Sequence, residues 1–224
     1  MVWERERAIK ATPQTAPKIP RPEQAADLLQ LCRREQVPYQ VVGNGSNLLV
    51  GDQGSRGAVI AFAKPAAQIT VSAGKVAAGA GALLSQAAAA ALRAGLGGME
   101  FAAGIPGSVG GAVVMNAGAY GGEMSQVVVA ASVLTKDGEV KRLDPSELQF
   151  GYRKSCILSM GYIVTEVELL LSPGDREEIR AKMEELAARR KEKQPLDFPS
   201  AGSTFKRPEG YFAGKLIMDA GLSG

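Results

Sequence analysis

The strongest constraint on the fold is a glycine-rich run at 95–122, GLGGMEFAAGIPGSVGGAVVMNAGAYGG, which holds ten glycines and a single charged residue, Glu100. Glycine weakens helices and strands because it loses more conformational freedom on folding than other residues. We therefore expect the run to bring bare backbone close to a ligand, with its amides forming a nest for a phosphate or a polar ring. The alternative is a turn between packed elements. The number of glycines, interleaved with Ser108, Asn116 and Tyr120, favours the ligand site.

A second glycine-rich segment, at 43–47, follows a predicted strand at 37–42 and precedes the apolar residues 48–50. A strand that runs into a glycine-rich turn is typical of phosphate-binding loops, because the glycines let backbone amides converge on one anion. The segment matches neither the Walker motif, which needs a lysine after spaced glycines, nor the dinucleotide fingerprint, whose glycine spacing differs. Taken alone, it also fits an ordinary Asn-Gly hairpin.

The absence of histidine from all 224 residues removes a class of chemistry. It excludes histidine general bases, histidine-based triads and most zinc sites, and we predict no bound metal. The net charge of +3 is weak and the cations are scattered, so we expect neither nucleic acid nor a membrane as a partner. No secretion signal or membrane-spanning run is predicted. Cys32 and Cys156 are expected as small core residues in a reducing compartment.

The periodicity of apolar residues predicts a chain of short helices and strands. Helices are expected at 22–36, 83–94, 144–147 and 175–193, and strands at 37–42, 58–62, 69–73, 76–78, 127–135, 140–143 and 163–171. Residues 1–20 carry three prolines and no clear period, which predicts an irregular arm. The basic end of the 175–193 helix is interpreted as a solvated helix terminus, since cations are favoured there by the helix dipole.

Three further segments narrow the class of protein that the sequence predicts. They are GYRKS at 151–155, QPLDFPSAGSTFKRP at 194–208 and FAGKLI at 212–217. Together with GNGSNLLV at 43–50 and GIPGSVGGAVVMNAGAYGG at 104–122, they occur in the order, and at about the spacing, of one flavoenzyme family. Over about 22–224, the sequence resembles the UDP-N-acetylenolpyruvoylglucosamine reductases (MurB). The variant it resembles is the type that lacks an extra tyrosine-bearing loop in the substrate domain.

The resemblance implies an α+β fold, in which a two-subdomain FAD-binding module of the PCMH type precedes a partial α+β substrate domain. After the arm at 1–20, we expect FAD-binding subdomains at about 21–63 and 64–172, and an incomplete substrate-binding domain at 173–224. The resemblance also implies an NADPH-dependent oxidoreductase that acts in peptidoglycan synthesis, and therefore a role in cell wall biogenesis, cell shape and cell division. We expect a cytoplasmic monomer.

The family's reaction is the reduction of UDP-N-acetylglucosamine enolpyruvate to UDP-N-acetylmuramate, in which FAD accepts hydride from NADPH and passes it to the enolpyruvyl carbon. Motif matching makes Ser203 the expected proton donor and Arg153 the cation that steadies the enolate-like intermediate. Asn116, Tyr120 and Lys215 are expected to contact the substrate. The expected FAD contacts are Gly43, Asn44, Gly45, Ser46, Asn47, Leu48, Gly104, Ile105, Pro106, Gly107, Ser108, Gly110, Gly111 and Ala112.

Physical chemistry is compatible with the two catalytic roles. Hydride addition beta to a carboxylate moves negative charge onto that carboxylate, which the fork of Arg153 can meet bidentately. A serine is a weak acid in water, but the carbon it would protonate is strongly basic, so the Ser203 hydroxyl can donate in a dry pocket. Without the resemblance, a surface ion pair for Arg153, a turn or cap hydroxyl for Ser203 and a surface lysine for Lys215 are the simpler interpretations.

The sequence departs from the family pattern at both ends. Residues 1–20 lack a Thr-Thr-x-x-x-Gly-Gly-like segment, so we expect the first sheet to lack an edge or to use a substitute. Family members continue past the FAGKLI motif with a segment that carries a catalytic glutamate, which no residue here matches. We therefore expect a fragment, a shortened gene product or a chain without full catalysis, with exposed apolar surface at that end. A non-catalytic FAD-binding homologue and another flavin oxidoreductase on the same scaffold are the alternative functions.

Overall fold

A small parallel sheet and a larger antiparallel sheet share one apolar core in the computed structural model, which describes residues 18–19, 22–62, 66–193 and 205–222. The helices are α1 (Pro22–Arg34), α2 (Leu84–Arg93), α3 (Val109–Val114), α4 (Pro145–Leu148), α5 (Cys156–Met160), α6 (Arg176–Lys193) and α7 (Ala213–Asp219). The strands are β1 (Lys18–Ile19), β2 (Tyr39–Val42), β3 (Ala58–Phe62), β4 (Ile69–Ser72), β5 (Lys75–Gly79), β6 (Leu96–Gly97), β7 (Gly118–Ala119), β8 (Gly122–Glu123), β9 (Val128–Leu134), β10 (Val140–Leu143), β11 (Ile163–Leu170) and β12 (Ser172–Pro173).

This mixture of helices and sheets agrees with the expected α+β class. The predicted arm at 1–20 lies outside the described residues, apart from the short strand β1. The predicted domain boundaries near 63 and 172 stay predictions. The apolar core is continuous across position 63.

The parallel sheet has the strand order β1–β3–β2. Helix α1 contributes Ala25 and Leu29 to the core that also holds Ile60 of β3. The helix ends at Arg34, slightly before its predicted end, because Gln36 has a left-handed φ of +54°. The glycine-rich segment 43–47 leaves the carboxyl end of β2, which is the edge of a parallel sheet where ligands commonly bind.

The antiparallel sheet has the strand order β10–β9–β11–β5–β4. Helix α2 contacts β4 and β5 and buries an alanine-rich face, on which Ala87, Ala88 and Ala91 have no exposed surface. These small side chains allow the helix to approach the sheet closely. Gly95, with a φ of +68°, follows the helix in the left-handed conformation that is typical of the residue just past a helix C-terminus. The hairpins and helices predicted for this region are confirmed to within a few residues.

The glycine-rich run contains regular elements that were not expected from the sequence. We expected 95–122 to form neither helix nor strand, and this was wrong for the six residues of α3 and for the short strands β6, β7 and β8. Ser108 caps this helix, since its Oγ accepts a hydrogen bond from the Gly111 N–H at 3.3 Å. Gly110 donates its N–H to the Ala80 carbonyl at 3.0 Å. The glycines therefore serve close packing of a helix, which outweighs their low helix propensity.

The two cysteines belong to the core. Cys32 lies on the buried face of α1, Cys156 begins α5, and both are free thiols. Burial raises the pKa of the Cys156 thiol, which keeps it protonated and unreactive at neutral pH. The expectation that both act as small core residues is confirmed.

The last described parts of the chain differ in how they pack. Helix α6 buries Ile179 and Leu186 against the rest of the protein. The segment 205–222, in contrast, exposes several large apolar side chains: Phe205, Tyr211, Phe212, Leu216, Met218 and Leu222. The expected exposed apolar surface at this end is therefore present. Among the described residues, no helix is both long enough and apolar enough to cross a bilayer.

We expect Gly110→Ala to lower the free energy of unfolding, by up to about 2 kcal/mol. A β-carbon at this position would lie 2.7 Å from Ala80 Cβ, and the overpacking cost of about 1–3 kcal/mol is offset in part by the ~1 kcal/mol that alanine gains over glycine in a helix. Urea unfolding measures the change. Gly51→Ala is the control, since no atom lies within 4 Å of its added β-carbon. Equal stability of the two variants would contradict the packing argument.

Candidate functional site

The two glycine-rich segments lie against each other. A side chain at Gly43 would collide with the Ser108 hydroxyl, and a β-carbon added to Gly107 would lie 3.5 Å from Ser46 Oγ. These contacts join the loop after β2 to the start of α3, although more than 60 residues separate them in sequence. The segments 43–47 and 107–111 thus form one surface of bare backbone, which we call the glycine surface.

Backbone hydrogen bonds hold the second half of the glycine surface in place. The Val109 N–H donates to the Ala82 carbonyl at 2.8 Å, and the Leu84 N–H donates to the Gly107 carbonyl at 2.9 Å. The segment at 80–84 is itself fixed to the large sheet, since the Ala80 N–H donates to the Thr165 carbonyl at 2.9 Å. The sheet therefore positions the glycine surface rigidly, as a binding site requires.

The predicted cofactor residues differ in exposure along the glycine surface. Two leucines beside it, Leu48 and Leu49, are 52% and 70% exposed. Of the predicted residues, the exposed ones are Gly43, Asn44, Asn47, Leu48, Gly104, Pro106 and Gly111, the half-buried ones are Gly45, Ser46, Ile105 and Gly107, and the buried ones are Ser108, Gly110 and Ala112.

A cleft of about 530 Å³ opens beside β2, the strand that leads into the glycine surface. Its wall is largely aromatic and aliphatic, with Arg33, Lys136 and Asp137 at charged positions. The other lining residues are Tyr39, Val41, Leu158, Gly161, Tyr162 and Ile163. Its volume lies in the range of small-ligand sites. This cleft was not predicted from the sequence, because its walls come from α1, β2, the β9–β10 hairpin and the α5–β11 turn, which only the fold brings together.

Arg153 occupies a tight turn at 151–154. The Gly151 N–H donates to the Lys154 carbonyl at 3.0 Å, and the Lys154 N–H returns a bond to the Gly151 carbonyl at 3.1 Å. The turn gives Arg153 a φ of +53°, and its guanidinium Nη2 donates to the Gly118 carbonyl at 3.0 Å. One guanidinium edge is thus tied to the backbone of β7, which fixes the direction of the side chain.

Two buried polar side chains fix this turn to the end of α3. Asn116, which is 1% exposed, donates from Nδ2 to the Gly151 carbonyl at 3.1 Å and accepts the Ser125 N–H at 2.9 Å. Ser155 donates its hydroxyl to the Val114 carbonyl at 2.8 Å. The Asn116 amide therefore forms hydrogen bonds within the protein and holds the turn that carries Arg153. Its predicted contact with the substrate stays a prediction.

Backbone strain concentrates around Arg153. Asn116, Tyr120 and Arg153 have φ values of +41°, +54° and +53°, a region that residues other than glycine rarely adopt. Such conformations cost about 1–3 kcal/mol each and persist where the surrounding structure holds them, often at functional sites. Tyr120 lies in the turn between β7 and β8, and its side chain is 43% exposed.

The remaining two predicted residues belong to the last part of the chain. Ser203, the expected proton donor, lies outside the described residues. Lys215 lies on α7, is exposed, and pairs with the Asp219 carboxylate at 3.1 Å. The structure thus brings together the two glycine-rich segments, and it joins Arg153 to Asn116 and to the backbone beside Tyr120. It shows no contact between Lys215 and these residues.

Arg190, near the end of α6, lies beside Gly104, a contact that was not predicted from the sequence. Ile179, Met183, Leu186 and Arg190 follow one another at intervals of four, three and four residues, so Arg190 continues the inner stripe of α6. It is half-buried, and a β-carbon on Gly104 would lie 3.2 Å from its Nε. Its neighbours Arg189 and Lys191 are exposed, and the interpretation of this helix end as a solvated terminus stays a prediction. The stripe spacing is the signal that places Arg190 on the inner face of the helix.

Comparison with known proteins identifies the class of protein. The FAD binding domain family matches residues 19–144, and the family of the C-terminal domain of UDP-N-acetylenolpyruvoylglucosamine reductase matches residues 194–224. Together with the paired glycine-rich segments, these matches define a protein of the FAD-binding flavoenzyme class. No group of three or more acidic or cysteine side chains suited to a metal ion occurs in the described parts of the chain.

The relatives narrow this class to one family. The UDP-N-acetylenolpyruvoylglucosamine reductase of Agathobacter rectalis is 54% identical over 209 residues, and that of Clostridium novyi is 52% identical over 202 residues. These matches cover 88% and 90% of this chain, and 67% and 66% of the relatives. This chain belongs to the UDP-N-acetylenolpyruvoylglucosamine reductase family, which confirms the resemblance. It spans about two thirds of the length of these curated relatives.

Solved structures agree with this assignment. The crystal structure of UDP-N-acetylenolpyruvylglucosamine reductase (MurB) from Thermus caldophilus superposes with a TM-score of 0.76 at 45% identity, covering 87% of this chain and 71% of that protein. A 6-hydroxy-D-nicotine oxidase from Arthrobacter nicotinovorans superposes with a TM-score of 0.54 at 19% identity, covering 70% of this chain and 36% of that protein. The second likeness shows a shared fold alone.

We expect Gly43→Ala to weaken flavin binding strongly, because its methyl group would collide with the Ser108 hydroxyl and push the two segments apart. Adding Ser108→Ala should restore part of the binding, since it removes the colliding oxygen while the nearest remaining carbon lies 3.1 Å away. A flavin titration of both single variants and the double variant measures the coupling. Purely additive losses would mean that the two segments do not meet at these atoms.

Proposed function

We propose that the chain holds the diphosphate of FAD against the glycine surface. Bare backbone at 43–47 and 107–111 leaves room for a phosphate to approach the amides, which a side chain would prevent. The observation that carries this proposal is the contact of Gly43 with Ser108, because it brings two phosphate-type loops to one place. The exposed Leu48 and Leu49 offer apolar surface that a bound flavin nucleotide would cover.

We place the adenosine part of FAD in the cleft beside β2. The cleft holds tyrosine and aliphatic side chains, which suit the faces of a planar purine. Tyr39 and Val41 of β2 line it, and this strand runs directly into the glycine surface. Leu158, at 70% exposure, lines the cleft and would gain cover from the purine.

We infer that this flavoprotein reduces the enolpyruvyl group of UDP-N-acetylglucosamine enolpyruvate with NADPH, giving UDP-N-acetylmuramate for peptidoglycan synthesis. FAD, when bound, supplies the hydride chemistry between NADPH and the enolpyruvyl carbon. The names of the relatives and the geometry of Arg153 support this reading. A cytoplasmic monomer that contacts neither nucleic acid nor a membrane is part of the same proposal.

Arg153 stabilises the charge that develops on the substrate. The Gly118 carbonyl holds one N–H of the guanidinium, which leaves further donors of the planar fork for a carboxylate. Because the turn at 151–154 is fixed by Asn116 and Ser155, the guanidinium is oriented before the substrate arrives. Such preorganised charge costs little reorganisation during the reaction.

Ser203 donates the proton that completes the reduction. Its hydroxyl gives the proton to the carbon next to the hydride-accepting carbon, while Arg153 holds the substrate carboxylate. Tyr120, Asn116 and Lys215 contribute to the substrate side. Motif matching supports these roles.

A second candidate function is FAD binding without turnover. The exposed apolar side chains of 205–222 favour it, because they leave the substrate side of the protein open to water. Anaerobic mixing with NADPH and then with the enolpyruvyl substrate separates the two functions. A yellow, folded protein whose reduced flavin is not reoxidised by the substrate would exclude the reductase activity.

We expect Ser203→Ala to leave flavin reduction by NADPH unchanged and to slow reoxidation of the flavin by the enolpyruvyl substrate about 10²–10⁴-fold, the usual contribution of a general acid. Arg153→Lys should also slow reoxidation selectively, since lysine lacks the bidentate fork. Stopped-flow absorbance follows both half-reactions. Equal slowing of reduction and reoxidation would mean that these residues are structural.

A further inference from the structure

Tyr152 makes a contact that the proposed chemistry does not use. Its hydroxyl accepts a hydrogen bond from the Arg207 backbone N–H at 3.3 Å, across 55 positions of sequence. Its ring also lies beside the Arg153 guanidinium, with 5.6 Å from the guanidinium carbon to the ring centroid. One side chain therefore contacts both the proposed catalytic arginine and the segment 205–222.

The segment beyond this contact is folded on itself. The Arg207 Nε donates to the Tyr211 carbonyl at 3.1 Å, and the guanidinium carbon lies 4.0 Å from the centroid of the Phe212 ring. The Tyr211 N–H donates to the Pro208 carbonyl at 3.2 Å, directly before α7 begins. A bond at the Arg207 amide thus orients 207–212 and the start of α7 together.

Among the described residues, the bond from Arg207 to Tyr152 is the only hydrogen bond between the segment 205–222 and the part of the chain before residue 194. The other end of this link is rigid, since Tyr152 lies within the 151–154 turn that Asn116 and Ser155 fix to α3. The segment 205–222 is therefore bonded to a side chain whose backbone is fixed.

We propose that Tyr152 is a positioning residue, whose hydroxyl orients 205–222 against the turn that carries Arg153. The segment carries the cations Lys206, Arg207 and Lys215, so its orientation bears on how it meets an anionic sugar nucleotide. The inference rests on the proposed function for its kinetic consequence. Its structural consequence, an ordered 205–222 segment, does not depend on that function.

Hydrogen exchange tests the structural consequence on the whole chain. Tyr152→Phe removes the accepting oxygen and keeps the ring, so we expect backbone amides of 205–212 to exchange about fivefold faster, the effect of one lost neutral hydrogen bond. Tyr211→Phe is the matched control, because it removes a hydroxyl from a 60% exposed tyrosine of the same segment. Unchanged exchange in Tyr152→Phe, or equal acceleration in both variants, would overturn the proposal.

Half-reaction kinetics test the kinetic consequence. In Tyr152→Phe we expect KM for the enolpyruvyl substrate to rise about fivefold, with flavin reduction by NADPH unchanged and Tyr211→Phe like the parent. An unchanged KM alongside faster exchange would overturn the link to substrate binding. If the unmutated chain does not reoxidise with substrate, the proposed function fails, and the exchange experiment still decides whether Tyr152 orders the segment.

Discussion

The close approach of bare backbone around α3 governs the rest of the structure. Gly43 lies against Ser108 and Gly110 lies against Ala80, at separations that leave no room for side chains. The first contact joins the small parallel sheet to the start of α3, and the second joins α3 to the segment that follows β5. A ligand that needs backbone amides from two directions can be held only where such approaches occur.

The short helix α3 links the proposed cofactor and substrate sides. Its start forms half of the glycine surface, while the Val114 carbonyl near its end receives the Ser155 hydroxyl, and Asn116 holds the Gly151 carbonyl. Arg153 is thereby fixed relative to the glycine surface through a few buried bonds. The positive φ values of Asn116 and Arg153 carry a conformational cost, and these hydrogen bonds offset it by holding the backbone in place.

The sequence predicted the elements well where a local period or a cap defines them, as in α2 with Gly95 and the hairpin of β9 and β10. It was wrong for α3, because glycine propensity argued against a helix that tertiary packing and the Ser108 cap stabilise. It located both halves of the glycine surface through their composition. It missed the cleft beside β2 and the link between Tyr152 and Arg207, because these depend on contacts between residues far apart in the chain.

The measurement that tests the central claim most directly is a titration of the flavin-free chain with FAD and with FMN, followed by quenching of flavin fluorescence. If the diphosphate lies on the glycine surface and the adenosine lies in the cleft, FAD should bind about 100-fold more tightly than FMN, which lacks the adenosine part. Equal affinities would place the cofactor elsewhere. Failure of both flavins to bind would contradict the account as a whole.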